Sequence, residues 1–256
     1  MKKVTAFVGS ARKKNTNGAV VQFMSNLQAL GEVEIEIVVL SKYNIGICRG
    51  CQLCVKKGEA FCPLKDDRDV LFDKIATSDG VIFATPNYCW NLSGMMKVFL
   101  DRFGFAIHRP RYFGKAFTSI VTQAMGRGDR IGEYLDYTAF TLGFNTIKGL
   151  TITGFDPKTE KQLLKIDQDL AQHSQRFYNL MAKPAYPAPT WFQLLGFRMS
   201  RTMIMQAHPE MIDRQYFADK GWFESDYYYP TRLGVLKQAI GNMADRMAPV
   251  VQKLFA

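Results

Sequence analysis

Short apolar runs alternate with stretches of helical period along most of the chain. Residues 4–8 form an apolar run that stops at Gly9, the pattern of a buried strand. Val20, Val21, Met24, Leu27 and Leu30 then recur at the spacing of one helix face. In residues 33–40, Val33, Ile35 and Ile37 alternate with Glu34 and Glu36, predicting a second strand. Residues 80–84, 116–122 and 145–153 predict a third, fourth and fifth. Helices fall between them. One follows Asp66 and Asp67, read as its caps, and runs through Val70, Leu71 and Ile75. Another carries Met96, Phe99, Leu100 and Phe103, and another reaches about Leu142. The last starts at Asp156-Pro157, with Pro in its first turn and Glu160 helping the cap. Five strand–helix repeats predict an α/β fold: a doubly wound five-stranded parallel sheet covered on both faces, in the order 2-1-3-4-5.

Composition changes at Pro184, where Pro184, Pro187 and Pro189 mark a connector. The predicted organisation is one α/β domain over residues 1–183 and an aromatic-rich helical extension over 184–256. Helices are expected near 191–205 and 233–255. Trp191, Trp222 and Tyr227-Tyr228-Tyr229 are expected to pack in a core or an interface, on the domain or on a partner subunit of a homodimer or higher homo-oligomer.

The net charge of +10 over 256 residues adds a basic surface, most of it before Pro184. Such a surface attracts phosphorylated cofactors, anionic lipid or nucleic acid. No long Lys/Arg block is present, so a nucleic-acid tail is unsupported. No run of eighteen apolar residues predicts a membrane span, and the N-terminus reads as a strand rather than a signal peptide. The expected location is cytoplasmic, where thiols stay reduced.

In a doubly wound sheet, ligands bind beyond the C-terminal strand ends. Three loops should meet there. Residues 9–17 offer Ser10, Arg12, Asn15, Thr16 and Asn17 at the start of a helix, a setting that binds phosphate, though a plain polar turn has the same composition. Neither the G-x-x-x-x-G-K-[ST] nor the G-x-G-x-x-G pattern occurs in it. Residues 85–94 hold Thr85, Pro86, Asn87, Tyr88, Cys89 and Trp90, which can stack on a planar ring and present amides to its edge, or pack beneath the loop. Cys89 is expected to be a small buried residue. Residues 122–128 hold Gln123 and Gly126, where backbone can approach a ligand closely. His108, His173 and His208 have no triad spacing.

Four of the five cysteines, Cys48, Cys51, Cys54 and Cys62, are spaced C-x2-C-x2-C-x7-C, with Pro63 after the last. Thiols this close serve redox chemistry or a metal. Zinc is one occupant, although its sites more often use two separated C-x2-C pairs. An iron–sulfur cluster is another, since three thiolates at x2 spacing can wrap one face of a cubane.

Together these segments resemble a known family. GSARKKNT and TPNYCWNLSGMMKVFLDR resemble the phosphate and flavin-ring loops of the flavodoxin-like NAD(P)H-dependent FMN reductases. CRGCQLCVKKGEAFCPLKDD resembles their iron–sulfur flavoprotein branch, and the likeness covers roughly residues 3–181. The resemblance implies a flavodoxin-like fold and FMN. It places Ser10, Arg12, Asn15 and Thr16 at phosphate-loop positions, and Pro86, Asn87, Tyr88 and Trp90 at ring-loop positions. Asn17 stands where relatives often carry an aromatic, and Cys89-Trp90 is an unusual variant. The implied activity is hydride transfer from NAD(P)H to flavin, then electron transfer to a quinone, flavin, metal or protein acceptor. No protein general base is needed, so no catalytic side chain is expected. The resemblance also implies a [4Fe-4S] cluster on the four cysteines, with empty thiols as the alternative. The other readings are a non-enzymatic electron carrier and a cysteine-based redox or metal sensor.

Overall fold

The structure, a computed structural model, describes residues 1–255, with side chains through Val250. The strands are β1 (Lys2–Val8), β2 (Val33–Val39), β3 (Gly80–Tyr88), β4 (Asn91–Leu92), β5 (Ala116–Gln123), β6 (Asn145–Thr146) and β7 (Leu150–Thr153). The helices are α1 (Asn15–Leu30), α2 (Leu53–Lys56), α3 (Arg68–Ala76), α4 (Gly94–Asp101), α5 (Gly104–His108), α6 (Gly128–Thr141), α7 (Glu160–Ala182), α8 (Trp191–Met205), α9 (Ile212–Asp219) and α10 (Val235–Phe255). Two compact units divide the chain: residues 1–50 with 64–185, and residues 51–63 with 186–256.

In the first unit the sheet order is β2-β1-β3-β5, with β6 and β7 both paired to the far edge of β5. These pairings are all parallel. Counted as five parallel strands, this is the flavodoxin-like order 2-1-3-4-5. The predicted fifth strand is broken into β6 and β7. At Gly149 a Cβ would lie 2.0 Å from the Ser119 hydroxyl, and its N–H donates to Asp136 Oδ2 at 2.8 Å. The backbone there turns to the half-buried Asp136 carboxylate instead of continuing the ladder.

The period of two sorts the core. Val4, Ala6 and Val8 share one face with Ile82, Ala84 and Ile120, where they meet Val20, Phe23, Met24 and Leu27 of α1 and Leu170 and Phe177 of α7. The intervening residues Phe7, Phe83 and Phe117 point to the other face. They join Phe99 and Phe103 in a lattice of rings with centroids 5.0–6.4 Å apart. Each such ring contributes on the order of 1.5–3 kcal/mol through burial. Helix α7 begins at Glu160, capped by a Thr159–Gln162 capping box. Pro157 therefore precedes this helix, and Gln162 rather than Glu160 completes the cap.

His173 of α7 is buried against Phe23, with Nε2 2.8 Å from the Thr118 hydroxyl. Burial, helped by the charge of Arg176, lowers its pKa to about 4. An unfolded histidine titrates near 6.5. Its stabilising contribution is therefore complete above pH 6.5 and is lost as pH falls toward 4, because the unfolded chain takes the proton first. The linked loss between pH 6.5 and 5 is about 2 kcal/mol. Urea titrations at the two pH values should show it, and the difference should shrink in His173→Gln; an unchanged difference would reject His173 as its source.

Asp66 and Asp67 act differently from the predicted caps. Asp67 makes no side-chain cap bond to α3; its carboxylate accepts the Asn44 N–H at 2.7 Å. Asp66 accepts the N–H groups of Gly46 (2.8 Å) and Arg68 (3.2 Å) and pairs with the buried Arg102 guanidinium. Arg102 also donates to the Gly46 carbonyl at 3.0 Å. Burial alone would raise the Asp66 carboxyl, but the bonds from Arg102, Gly46 and Arg68 and the Arg102 charge outweigh it and hold its pKa below the ordinary carboxylate value. This cluster ties residues 44–46 to 66–67, the two ends of the cysteine-bearing segment.

In the second unit α8 packs on α10. Buried Arg198 joins them by donating to Asp226 (2.8 Å) and Asn242 (2.6 Å) and pairing with Asp245 (3.0 Å). Phe197, Phe217, Trp222, Tyr227 and Tyr228 form its aromatic core, and the Trp222 indole donates to the Tyr228 carbonyl at 2.9 Å. No helix among the described residues is long and apolar enough to cross a membrane.

Candidate functional site

A cavity of about 280 Å3 opens at the C-terminal ends of β1, β3, β5 and β7. One end lies at the first turn of α1. That turn has no side-chain cap and no acidic residue, so its amide N–H groups and the positive end of the helix dipole are available to an anion. Ser10, Arg12, Lys14, Asn15 and Thr16 line this end. The Thr16 and Thr122 hydroxyls lie 2.7 Å apart and lock the helix start onto β5.

Pro86 closes the β3–β5 ladder opposite Thr122, Asn87 and Tyr88 continue β3 into its hairpin with β4, and Gln123 ends β5. The Asn87 amide donates to Gln123 Oε1 at 2.9 Å, and the Gln123 amide donates to the Thr153 hydroxyl at 2.9 Å. This chain of amides fixes polar groups along one edge, while Tyr88 leaves its ring half-exposed. Arg12 links the two ends by donating to the Tyr88 hydroxyl at 2.6 Å with its guanidinium 5.7 Å from that ring.

A segment absent from the sequence-predicted set completes the cavity: Ile152, Gly154, Phe155, Asp156 and Lys158. It follows the fifth strand, so the strand-end rule that selected the other loops would have found it. Asn15 donates to Asp156 at 2.8 Å and accepts from Lys158 at 3.0 Å, and Lys158 pairs with Asp156. The hydrogen bonds from Lys158 and Asn15 hold the Asp156 carboxyl below its ordinary pKa. Arg12, Lys14 and Lys158 thus outnumber this one carboxylate.

Ser10, Arg12, Asn15, Thr16, Pro86, Asn87, Tyr88 and Gln123 come together here, whereas Asn17, Thr85, Trp90 and Gly126 do not line the cavity. Thr85 is fully buried and accepts the Ser93 N–H at 2.9 Å. Ser93 in turn caps α4 and donates to the Gly9 carbonyl at 2.6 Å. β3 and β4 form an antiparallel hairpin in which Tyr88 faces Asn91. Its two turn residues, Cys89 (φ 48°) and Trp90 (φ 62°), are both left-handed, where Asn-Gly would sit with least strain. Cys89 is exposed at this tip, not buried as expected, because a two-residue turn leaves no interior to hold it. The Trp90 ring lies on Gly126, where a Cβ would come within 2.0 Å of it.

For FMN the fit is favourable: an uncapped, cation-flanked helix start for a phosphate, and a half-exposed aromatic beside fixed amides for a planar heterocycle. The four clustered cysteines match an iron–sulfur cluster in donor type and number. Cys48 and Cys51 are exposed, and Cys54 and Cys62 partly so. Among the described residues, no three His, Cys, Asp or Glu side chains are grouped to hold a metal ion.

A family model described as NADPH-dependent FMN reductase matches residues 2–155. An iron–sulfur flavoprotein of Archaeoglobus fulgidus is 34% identical over 158 residues, covering 57% of this chain and 70% of the relative. One from Clostridioides difficile is 29% identical over 200 residues, covering 76% and 85%. Among solved structures, RosB with a bound 8-demethyl-8-formylriboflavin-5'-phosphate intermediate superposes with a TM-score of 0.60 at 13% identity, over 92% of both chains. A putative quinone reductase from Klebsiella pneumoniae superposes with a TM-score of 0.59 at 19% identity, over 74% of this chain and 88% of the other. At such identities these two likenesses speak for the fold alone.

Proposed function

Because the chain belongs to the NADPH-dependent FMN reductase family, and is thereby a flavin-dependent oxidoreductase, we propose that it holds FMN in the cavity at the strand ends and couples NAD(P)H oxidation to reduction of a small-molecule or protein acceptor. The observation that carries this reading is the cavity itself, with an uncapped helix start at one end and an amide-edged aromatic wall at the other. When bound, FMN supplies the redox chemistry, taking hydride from NAD(P)H and passing electrons on.

The protein's part is binding and orientation. The α1 amides, with Ser10 and Thr16, hold the phosphate, and Arg12, Lys14 and Lys158 offset its charge. Asn87 and Gln123 present amide groups to the ring edge, and Tyr88 and Pro86 give it an apolar contact. The Arg12–Tyr88 bond fixes the distance between the two ends before the ligand arrives. No side chain in the cavity needs to move a proton for this half-reaction. Anaerobic addition of NADPH to FMN-loaded protein should bleach the flavin band, and an added quinone should restore it with turnover. Reduction by dithionite but not by NADPH or NADH would leave only an electron carrier.

The cysteine segment is proposed as the seat of a [4Fe-4S] cluster, supported by its donor set, its spacing and the iron–sulfur name of two relatives. Anaerobically purified protein is expected to carry stoichiometric iron and acid-labile sulfide, lost in Cys51→Ser. Zinc, or no metal, would overturn this assignment without touching the FMN site. Exposed Trp191 and Phe192 favour a homo-oligomer; sedimentation as a monomer at micromolar concentration would oppose it.

A further inference from the structure

The β3–β4 hairpin forms a wall of a second cavity, also about 280 Å3, lined by Trp90, Asn91, Lys97, Arg130, Ile131 and Tyr134. We propose that this cavity binds a planar aromatic molecule bearing a negative group, and that this molecule is the electron acceptor; the second clause rests on the oxidoreductase reading above.

Three observations converge on that ligand. The first is aromatic surface left open: Trp90 is 59% and Tyr134 42% exposed, beside the buried Ile131. The turn holds two consecutive non-glycine residues, Cys89 and Trp90, in the left-handed region, a strained conformation of the kind that clusters at ligand sites. The underside of the Trp90 ring is already fixed by Gly126, so the ring is positioned before any ligand arrives.

The second observation is charge. Lys97, on the cavity wall, pairs with Asp101, which offsets its charge. The Arg130 guanidinium makes no ion pair or hydrogen bond among the described residues. No carboxylate lines the cavity, so Arg130 contributes an uncompensated positive charge beside two aromatic rings. A guanidinium both stacks on flat rings and binds carboxylate, sulfonate or phosphate through a planar fork. Aromatic walls select the ring, and Arg130 selects the anion.

The third is placement. Tyr88 lines the cofactor cavity and Trp90, two residues later in the same hairpin, lines this one. A molecule held against Trp90 is a neighbour of the proposed flavin site without competing for its phosphate end.

A redox-inert probe separates this inference from the flavin reading. Naphthalene-2-sulfonate is titrated calorimetrically into the full chain, without FMN and then with it, with 2-naphthol as the uncharged control. The sulfonate should bind one to one in both forms, about tenfold more tightly than 2-naphthol. Arg130→Met should abolish that preference, and Tyr134→Ala should weaken both probes. Lys158→Met, in the other cavity, should weaken FMN and leave the sulfonate unchanged. Equal affinity for the two probes, insensitivity to Arg130→Met, or displacement of the sulfonate by FMN would each overturn the assignment. Because the readout is binding to flavin-free protein, failure of the FMN reading leaves this result interpretable.

Discussion

Asn15→Asp is expected to weaken FMN binding by at least about a hundredfold while leaving the fold intact. The two effects have opposite signs. An acidic residue in the first turn of a helix stabilises it by roughly 0.3–1 kcal/mol through the macrodipole, and α1 has no such residue. For a phosphate dianion at the same helix start, the new carboxylate is a like charge. At about 4 Å, repulsion between two unit charges in a surface-like dielectric is on the order of 4 kcal/mol. The substitution also removes the amide that donates to Asp156 at 2.8 Å and sets two carboxylates against each other, freeing the 154–158 segment. Fluorescence titration with FMN, paired with thermal melting, reads both effects. A weakened FMN affinity with an unchanged or slightly raised melting temperature is the expected pair. Unaltered affinity would place the phosphate elsewhere.

Arg102→Met is the substitution with the largest expected effect on stability. Side-chain exposure is 2% at Arg102 and 5% at Asp66. Removing the guanidinium leaves a buried carboxylate held only by the Gly46 and Arg68 amides, a change that costs about 3–5 kcal/mol. For a unit of this size that lowers the melting temperature on the order of 10 °C. The loss should concentrate at the stem of the cysteine segment, since the same guanidinium also holds the Gly46 carbonyl. Faster exchange of the residue 44–46 and 66–68 amides would locate it. Equal stability of Arg102→Met and the parent would mean that the pair is not what clamps the stem.

The strands were legible because burial on both faces forces continuous apolar runs, as in residues 80–84, and burial on one face forces alternation, as in residues 33–38. The break in the fifth strand was not, because what demands a glycine at position 149 is the close approach of a residue far away in sequence, Ser119. Asp66 misled for a similar reason. Its position before a helix is the local signature of a cap, and it does accept the Arg68 N–H at the start of α3, but a buried arginine thirty-six residues on shares its oxygens. The phosphate end of the cavity could be read from one loop, since a strand, a polar turn and a helix start are contiguous there. The ring end could be read only in part. Cys89-Trp90 carries no turn signature, and nothing local announces a two-residue hairpin when the glycine it favours is missing. Phe155 and Lys158 follow the end of the fifth strand, so the strand-end rule applied to the other loops reaches them too.

Equilibrium titration of flavin-free protein with FMN, followed by quenching of the flavin emission, tests the central claim most directly. One FMN per chain is expected, with affinity lost in Asn15→Asp and reduced in Lys158→Met. Absence of FMN binding by the folded chain would contradict the account of the cavity at the strand ends.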